Sequence, residues 1–141
     1  MKDLEPLPLS DQISGAPHPC EAIEVFGQDF AQKQFLDAFD SGRLHHAWLI
    51  SGPRGVGKAT LVWKIVKFLL TTSNAPAGDD LFGALGRQVS SLEIPPDHPA
   101  LPRILAGSEP ALCVLRRSYD EKRKRFKNKI SVDDVRNLKS F

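Results

Sequence analysis

One stretch decides the fold of this chain: Gly52-Pro53-Arg54-Gly55-Val56-Gly57-Lys58-Ala59-Thr60. It matches the phosphate-binding loop G-x-x-x-x-G-K followed by Ser or Thr at every position except the last, where alanine stands. Glycines in such a loop let backbone N–H groups surround an anion, and the lysine adds a positive charge near the outer phosphates. We therefore expect residues 52–60 to form a degenerate phosphate-binding loop that can hold an anion, ATP or ADP.

The departure at Ala59 removes a magnesium ligand. In the full motif a Ser or Thr hydroxyl at this position binds Mg²⁺. Thr60 comes one residue later and would point about 100° further round a helix, so it is a poor replacement. We expect no ATPase activity from this chain, no required cofactor and no metal site.

The segments on either side of the loop have the order that the motif requires. Residues 46–51 are a short apolar run that predicts a buried parallel strand, and apolar residues recur at helical spacing over 61–70. A second apolar run, 111–115, predicts the next strand. The sequence thus predicts an α/β fold, a three-layer phosphate-loop domain with a parallel sheet that is incomplete in this chain.

The remaining sequence divides by composition. Residues 1–20 contain four prolines among small and polar residues, which predicts a flexible or extended lead-in. We assign residues 21–141 to one domain. Within it, glycines and prolines interrupt residues 74–110, and we interpret this segment as an insertion with short helices near 79–89 and 98–106.

Two further helices have recognisable ends. The first is predicted to begin at Asp29, with Gln32 at capping-box spacing, and to stop at Gly42. The second is predicted to begin at Ser131, with Asp134 at the same spacing.

The composition is that of a globular protein in water, with 41% hydrophobic and 26% charged residues. Lys64 and Lys67 interrupt the longest apolar run, so no membrane span is expected, and the first residues lack a signal-peptide pattern. Cys20 and Cys113 are far apart and predict free thiols rather than a zinc site. The expected compartment is the cytoplasm.

Positive charge is concentrated in one segment. Residues 116–129 carry eight basic and two acidic side chains, although the net charge of the chain is only +2. We predict a basic hairpin here. A few phosphate contacts give only non-specific binding, with a Kd of about 10⁻⁴ to 10⁻⁶ M at physiological salt. The lone aromatic Phe126 offers no stacking platform. The candidate nucleic-acid contacts are Lys122, Arg123, Lys124, Arg125 and Lys127.

A resemblance to a known family begins with the run Arg43-Leu44-His45-His46-Ala47-Trp48-Leu49-Ile50 and continues through residues 52–61. Both resemble the bacterial clamp-loader family of AAA+ proteins. Val25-Phe26-Gly27-Gln28 resembles the segment near the adenine in that family, and residues 115–136 look like its second strand, variable hairpin and following helix. The resemblance covers roughly residues 22–141.

The resemblance implies the N-terminal part of an AAA+ domain and a role in loading the sliding clamp onto primed DNA during replication. Alanine after the loop lysine implies a structural subunit of DNA polymerase III that does not hydrolyse ATP. The implied partners are the motor and delta subunits, with primer-template DNA contacted only indirectly. The family's acidic motif and arginine finger have no position among these residues. Because the two predicted strands are not neighbours in the family's sheet, we expect the chain to self-associate.

Two other functions stay open at the level of sequence. An active phosphate-loop ATPase or kinase would have to tolerate Ala59. A weak, non-specific nucleic-acid-binding module would depend on the basic segment, and its binding would fall steeply with salt.

Overall fold

The computed structural model describes residues 8–72, 89–136 and 138, so the predicted helix near 79–89 lies outside these residues except at its last position. None of the described helices is long and apolar enough to cross a membrane. The described chain forms four helices and one two-stranded sheet, in the order α1 Asp29–Asp40, α2 Lys58–Thr72, α3 Ala100–Leu105, β1 Tyr119–Asp120, β2 Arg125–Phe126 and α4 Val132–Arg136.

Helix α2 lies where two groups of buried side chains meet. In the first group, Leu61 (0% exposed) and Phe68 of α2 pack with Phe35 and Leu36 of α1 and with Leu92. The rings of Phe35 and Phe68 meet edge-on at 6.3 Å. Such aromatic pairs contribute roughly 0.5–1.5 kcal/mol beyond the area that they bury. This first cluster fixes α1 against α2.

The second group of buried side chains lies on another side of α2. Trp63 (8% exposed) packs there with Cys20 and with Ala100 and Ile104 of α3. The helical spacing over 61–70 did not predict this contact, because Trp63 falls outside the stripe that contains Leu61. Burial on two sides explains why α2 is apolar over most of its circumference.

The C-terminus of α1 has the predicted glycine stop. Gly42 takes a φ of +64°, which a residue with a Cβ adopts only at a cost. Its N–H donates to the carbonyl of Phe39 at 3.0 Å, and the N–H of Arg43 donates to the carbonyl of Ala38 at 3.2 Å. These two bonds form a Schellman motif, so the helix ends with its last carbonyls satisfied.

The predicted capping box at the start of α1 is wrong. Gln28 occupies the N-cap position and makes no side-chain capping bond, while Asp29 is already the first helical residue. The first intrahelical bond runs from the N–H of Gln32 to the carbonyl of Gln28 at 2.9 Å. Since Asp29 lies inside the helix, its carboxylate acts on the helix dipole and not as a cap.

The start of α4 has the predicted capping box. The N–H of Ser131 donates to Asp134 Oδ2 at 2.9 Å, and the N–H of Asp134 donates to Ser131 Oγ at 3.3 Å. The bonds from Ser131 lower the pKa of the Asp134 carboxyl below its ordinary value. Ser118 Oγ also donates to Asp134 Oδ2, at 3.4 Å, so this box links α4 to the chain entering β1.

Strands β1 and β2 form an antiparallel hairpin in the basic segment. Tyr119 pairs with Phe126 and Asp120 with Arg125, and a four-residue turn joins them. The rings of Tyr119 and Phe126 meet edge-on at 5.2 Å. Lys124, at the end of the turn, has a φ of +49°.

The two apolar runs that predict parallel strands do not form a ladder in the described residues. Residues 46–51 and 111–115 have no strand partner, because the only sheet of the described chain contains β1 and β2. Trp48 is 42% exposed and Leu49 is 91% exposed, where a central strand would be buried on both faces. The two strand assignments therefore stay predictions, since a strand exists only by pairing with a neighbour.

The position of Leu61 predicts a large loss of stability on truncation. Leu61→Ala should lower the free energy of unfolding by about 2–5 kcal/mol, because it leaves a cavity between α1 and α2. Val62→Ala is the matched control on the same helix: Val62 is 39% exposed, so its change should stay within about 0.5 kcal/mol. Urea unfolding followed by circular dichroism measures both. Equal losses in the two variants would contradict the packing described here.

Candidate functional site

The predicted loop contains glycines in the left-handed backbone region and leads directly into a helix. Gly55 and Gly57 have φ angles of +88° and +83°, and α2 begins at Lys58. A Cβ added at either glycine would meet no atom within 4 Å. Glycine is therefore required by backbone conformation and not by space, and another residue would cost about 1–2 kcal/mol at each position.

Three backbone N–H groups of the loop have no acceptor in the described part of the chain. Among the described residues, those of Gly55, Gly57 and Lys58 donate to no protein atom, and the first helical bond runs from the N–H of Leu61 to the carbonyl of Gly57 at 2.9 Å. Unpaired N–H groups at a helix start attract anions, and the helix dipole strengthens the effect. The arrangement can hold a phosphate group or another small anion.

The ammonium group of Lys58 is bound by its own loop. Nζ donates to the carbonyl oxygens of Gly52 at 2.9 Å and Pro53 at 2.6 Å. A lysine ammonium has three N–H donors, so these two bonds leave one for an anion in the loop. Lys58 thus stabilises the turn itself.

A side chain from outside the motif supports the loop. The Gln28 side-chain amide donates to the carbonyl of Val56. Val25, three residues earlier, packs against the first cluster. The Val25–Gln28 segment is therefore held between the core and the loop. Sequence reasoning singled out this segment but did not predict the bond, because 28 residues separate its two ends.

The first turn of α2 supplies no oxygen at the position where the motif needs one. Ala59 and Thr60 are both half-buried and follow Lys58 directly in the helix. Successive helical residues differ in direction by about 100°, so the Thr60 hydroxyl does not replace the one that Ala59 lacks. In the described ranges, no group of three or more His, Cys, Asp or Glu side chains is placed to hold a metal ion.

A second polar cluster holds the N-terminal segment and was missed at the level of sequence. Arg116 Nε lies 2.7 and 2.8 Å from the two carboxylate oxygens of Asp11. His18 Nε2 lies 3.2 Å from Asp11 Oδ2, and the N–H of Cys20 donates to His18 Nδ1 at 3.0 Å. The ring of Trp63 packs edge-on to His18, with centroids 5.8 Å apart. The one sequence signal for this polar cluster is Pro17-His18-Pro19, since the two prolines restrict the backbone on both sides of the histidine.

The electrostatics of this cluster favour the ionised carboxylate. Burial raises the pKa of Asp11, but the hydrogen bond and charge of Arg116 outweigh it and hold that pKa below its ordinary value. Burial raises the pKa of the Cys20 thiol, which suits a structural rather than a reactive cysteine. Burial lowers the pKa of Lys67, whose Nζ donates to the carbonyl of Ala22 at 3.2 Å. These contacts dock residues 11–22 onto α2.

The predicted nucleic-acid contacts all lie on or beside the hairpin. Lys122, Arg123 and Lys124 form its turn, Arg125 belongs to β2, and Lys127 follows that strand. Within the described chain, no hydrogen bond, ion pair or ring contact joins them to the loop at 52–60. The predicted site residues therefore form two separate groups, one in the loop at 52–60 and one at the hairpin of β1 and β2.

Part of the chain is similar to subunits of a bacterial DNA polymerase. Over 46 residues it is 46% identical to DNA polymerase III subunit gamma of Buchnera aphidicola subsp. Schizaphis graminum (strain Sg). The aligned residues are 33% of this chain and 13% of that protein. Over 42 residues it is 45% identical to DNA polymerase III subunit gamma/tau of Mycobacterium tuberculosis (strain ATCC 25618 / H37Rv). This alignment includes 30% of this chain and 7% of that protein. No protein-family profile and no solved structure matches the chain. The similarity supports the predicted relation to DNA polymerase III.

The Asp11–Arg116 pair predicts a specific loss of stability in acid. A carboxyl whose folded pKa lies below its unfolded value of about 3.9 stabilises the fold above that pH, and the contribution disappears as the pH falls through the folded pKa. Asp11→Asn should therefore lower the free energy of unfolding at pH 7, and its difference from the parent protein should shrink below about pH 4.

Urea unfolding at pH 7 and pH 3 measures this difference. Asp37→Asn is the matched control, because Asp37 pairs with Lys33 on the surface of α1, where such pairs contribute only about 0–1 kcal/mol. A loss in Asp11→Asn that is the same at both pH values would contradict the assigned ion pair.

Proposed function

We propose that this chain is part of a clamp-loader subunit of bacterial DNA polymerase III, built on an AAA+-type phosphate-loop domain. The particular subunit that we propose is delta-prime, which would act in sliding-clamp loading for DNA replication in the cytoplasm without hydrolysing ATP. Its partners would be the motor and delta subunits. The support comes from the similarity to the gamma and gamma/tau subunits together with the loop at residues 52–60.

Ala59 is the observation that carries the choice of a non-hydrolysing subunit. Lys58 and the loop glycines retain the parts of the motif that hold phosphate, whereas the residue that would bind Mg²⁺ has only a methyl group. Phosphoryl transfer depends on metal ions that neutralise the charge developing on the phosphate oxygens. A loop of this composition is suited to a structural subunit of an assembly, one that does not hydrolyse ATP.

The same proposal includes the fold. In a phosphate-loop domain a strand enters the loop and a helix leaves it, and here residues 46–51 lead directly into the loop from which α2 starts at Lys58. The proposed parallel sheet would use residues 46–51 and 111–115 as strands. The high exposure of Leu49 is compatible with a surface that further strands would cover.

Magnesium dependence tests the proposed function. We expect no ATP turnover above background, and ATP binding measured by calorimetry that is the same with and without Mg²⁺. Ala59→Ser should make ATP binding tighter with Mg²⁺, because it restores the hydroxyl that the motif uses as a magnesium ligand. A gain of about tenfold corresponds to about 1.4 kcal/mol. It should not create turnover, because phosphate-loop enzymes also use an acidic residue at the end of a later strand to organise Mg²⁺, and Ala59→Ser does not supply one.

Two variants serve as controls for this experiment. Thr60→Ser keeps a hydroxyl at the neighbouring position and should leave ATP binding with Mg²⁺ unchanged. It therefore shows whether the effect of a serine hydroxyl depends on its being at position 59. Lys58→Ala removes the loop ammonium and should weaken any phosphate binding. Steady-state ATP turnover that Lys58→Ala abolishes would overturn the proposal and establish the alternative, an active phosphate-loop ATPase or kinase.

A further inference from the structure

One peptide unit of the loop at 52–60 is held by a residue outside the motif. The side-chain amide of Gln28 donates to the carbonyl oxygen of Val56. The same peptide unit carries the N–H of Gly57, and the described chain has no cis peptide bond. In a planar trans peptide the C=O and the N–H point in opposite directions. The bond therefore turns the N–H of Gly57 away from Gln28.

The glycine in this peptide unit makes its orientation reversible. Rotation of the unit between Val56 and Gly57 changes the φ of Gly57, which is +83°. Glycine adopts positive and negative φ about equally well, so Gly57 by itself does not select one orientation. In the reversed orientation the carbonyl oxygen of Val56 would stand where the N–H stood. Its partial negative charge would repel an anion that the N–H attracts.

The side chain of Gln28 serves the loop and not its own helix. Gln28 is the N-cap residue of α1 but makes no side-chain capping bond, whereas Ser, Thr, Asp and Asn are the residues that cap helices well. Val25 packs against the first cluster, and α1 begins at Asp29, so Gln28 extends from an ordered part of the chain. A local rule that is broken while a distant bond is made is typical of functional sites.

Lys58 also holds loop carbonyls, but its bonds differ in kind. Its Nζ donates to the carbonyl oxygens of Gly52 and Pro53. A bound phosphate would compete for this ammonium, because hydrogen bonds between two charged groups are stronger than those to a neutral carbonyl. The amide of Gln28 is neutral and is not drawn to the anion in this way. Gln28 can therefore hold the Val56 carbonyl in the empty loop and in the occupied one.

We propose that Gln28 is a positioning residue for anion binding in the loop at 52–60. It fixes the peptide unit between Val56 and Gly57 so that the N–H of Gly57 can donate to a phosphate or sulfate group. This inference rests on the proposed phosphate-binding role of the loop and adds the residue that sets the direction of one of its donors. It concerns an N–H donor and not a metal ligand, so the magnesium test at Ala59 is independent of it.

Sulfate titration of the full chain, followed in the NMR amide spectrum, tests the proposal. In the parent protein the amide signal of Gly57 should shift as sulfate binds. Gln28→Met keeps the length of the side chain but removes the donor, and should weaken sulfate binding at least about tenfold, because hydrogen bonds to charged groups are among the stronger ones. Gln32→Met is the matched control: Gln32 is also half-buried, lies one turn further along α1, and has no side-chain hydrogen bond among the described residues. This control should keep the parental Kd within about twofold.

Gln28→Glu supplies a readout that a purely structural role would not change. Its carboxyl can donate to the Val56 carbonyl only when protonated, and an ordinary glutamate carboxyl has a pKa of about 4.3. Relative to the parent protein at each pH, sulfate binding should be weakest at pH 7 and should recover as the pH falls to about 4.5. Loss of the negative charge alone would bring this variant only to the level of Gln28→Met, so recovery above that level requires the hydrogen bond. Sulfate is the probe because it keeps its charge over this range, whereas phosphate does not.

The outcomes separate this inference from the proposed function. Parental sulfate affinity in Gln28→Met would overturn the inference and leave the phosphate-binding role of the loop standing. Equal losses in Gln28→Met and Gln32→Met would also overturn it, since a loosened α1 would then explain both, and so would a Gln28→Glu variant that never binds better than Gln28→Met. If sulfate left the Gly57 signal of the parent protein unchanged, the anion-binding role of the loop would fall together with the inference.

Discussion

Burial of helix α2 on two sides is the constraint on which the rest of the structure depends. Leu61 and Phe68 fix the helix against α1, and Trp63 fixes it against α3 and the N-terminal segment. Among the described residues, α2 is the helix that contributes side chains to both clusters. The direction in which α2 leaves the loop is therefore set by packing along the helix, and with it the position of the N–H groups at Lys58.

The supports of α2 come from distant parts of the chain. The Gln28 side chain holds the loop from the α1 side, while Arg116 and Asp11 close over the Trp63 side, 105 residues apart in sequence. Arg116 Nε lies within hydrogen-bond distance of both carboxylate oxygens of Asp11 in a partly buried site, and this charge-assisted contact ties the N-terminal segment to the chain before β1.

Sequence reasoning succeeded where the deciding chemistry lies within a few residues. The glycine stop at Gly42 and the capping box of Ser131 with Asp134 depend on bonds that span three to five positions, and both were predicted. The apolar run at 46–51 indicated burial but not the segment with which it would pair, so its strand assignment stays a prediction. The Asp11–Arg116 bond could not be predicted, because neither residue has a local pattern that indicates its partner.

The loop at 52–60 can keep its shape without nucleotide, and this bears on the meaning of its lost hydroxyl. Lys58 Nζ binds the carbonyl oxygens of Gly52 and Pro53, and Gln28 binds the carbonyl of Val56. These are bonds within the protein that hold the turn against the start of α2. A phosphate-binding sequence can thus have a structural role, because its bonds fix the turn that precedes the helix. None of these bonds uses the side chain of Ala59, so they do not depend on which residue stands at that position.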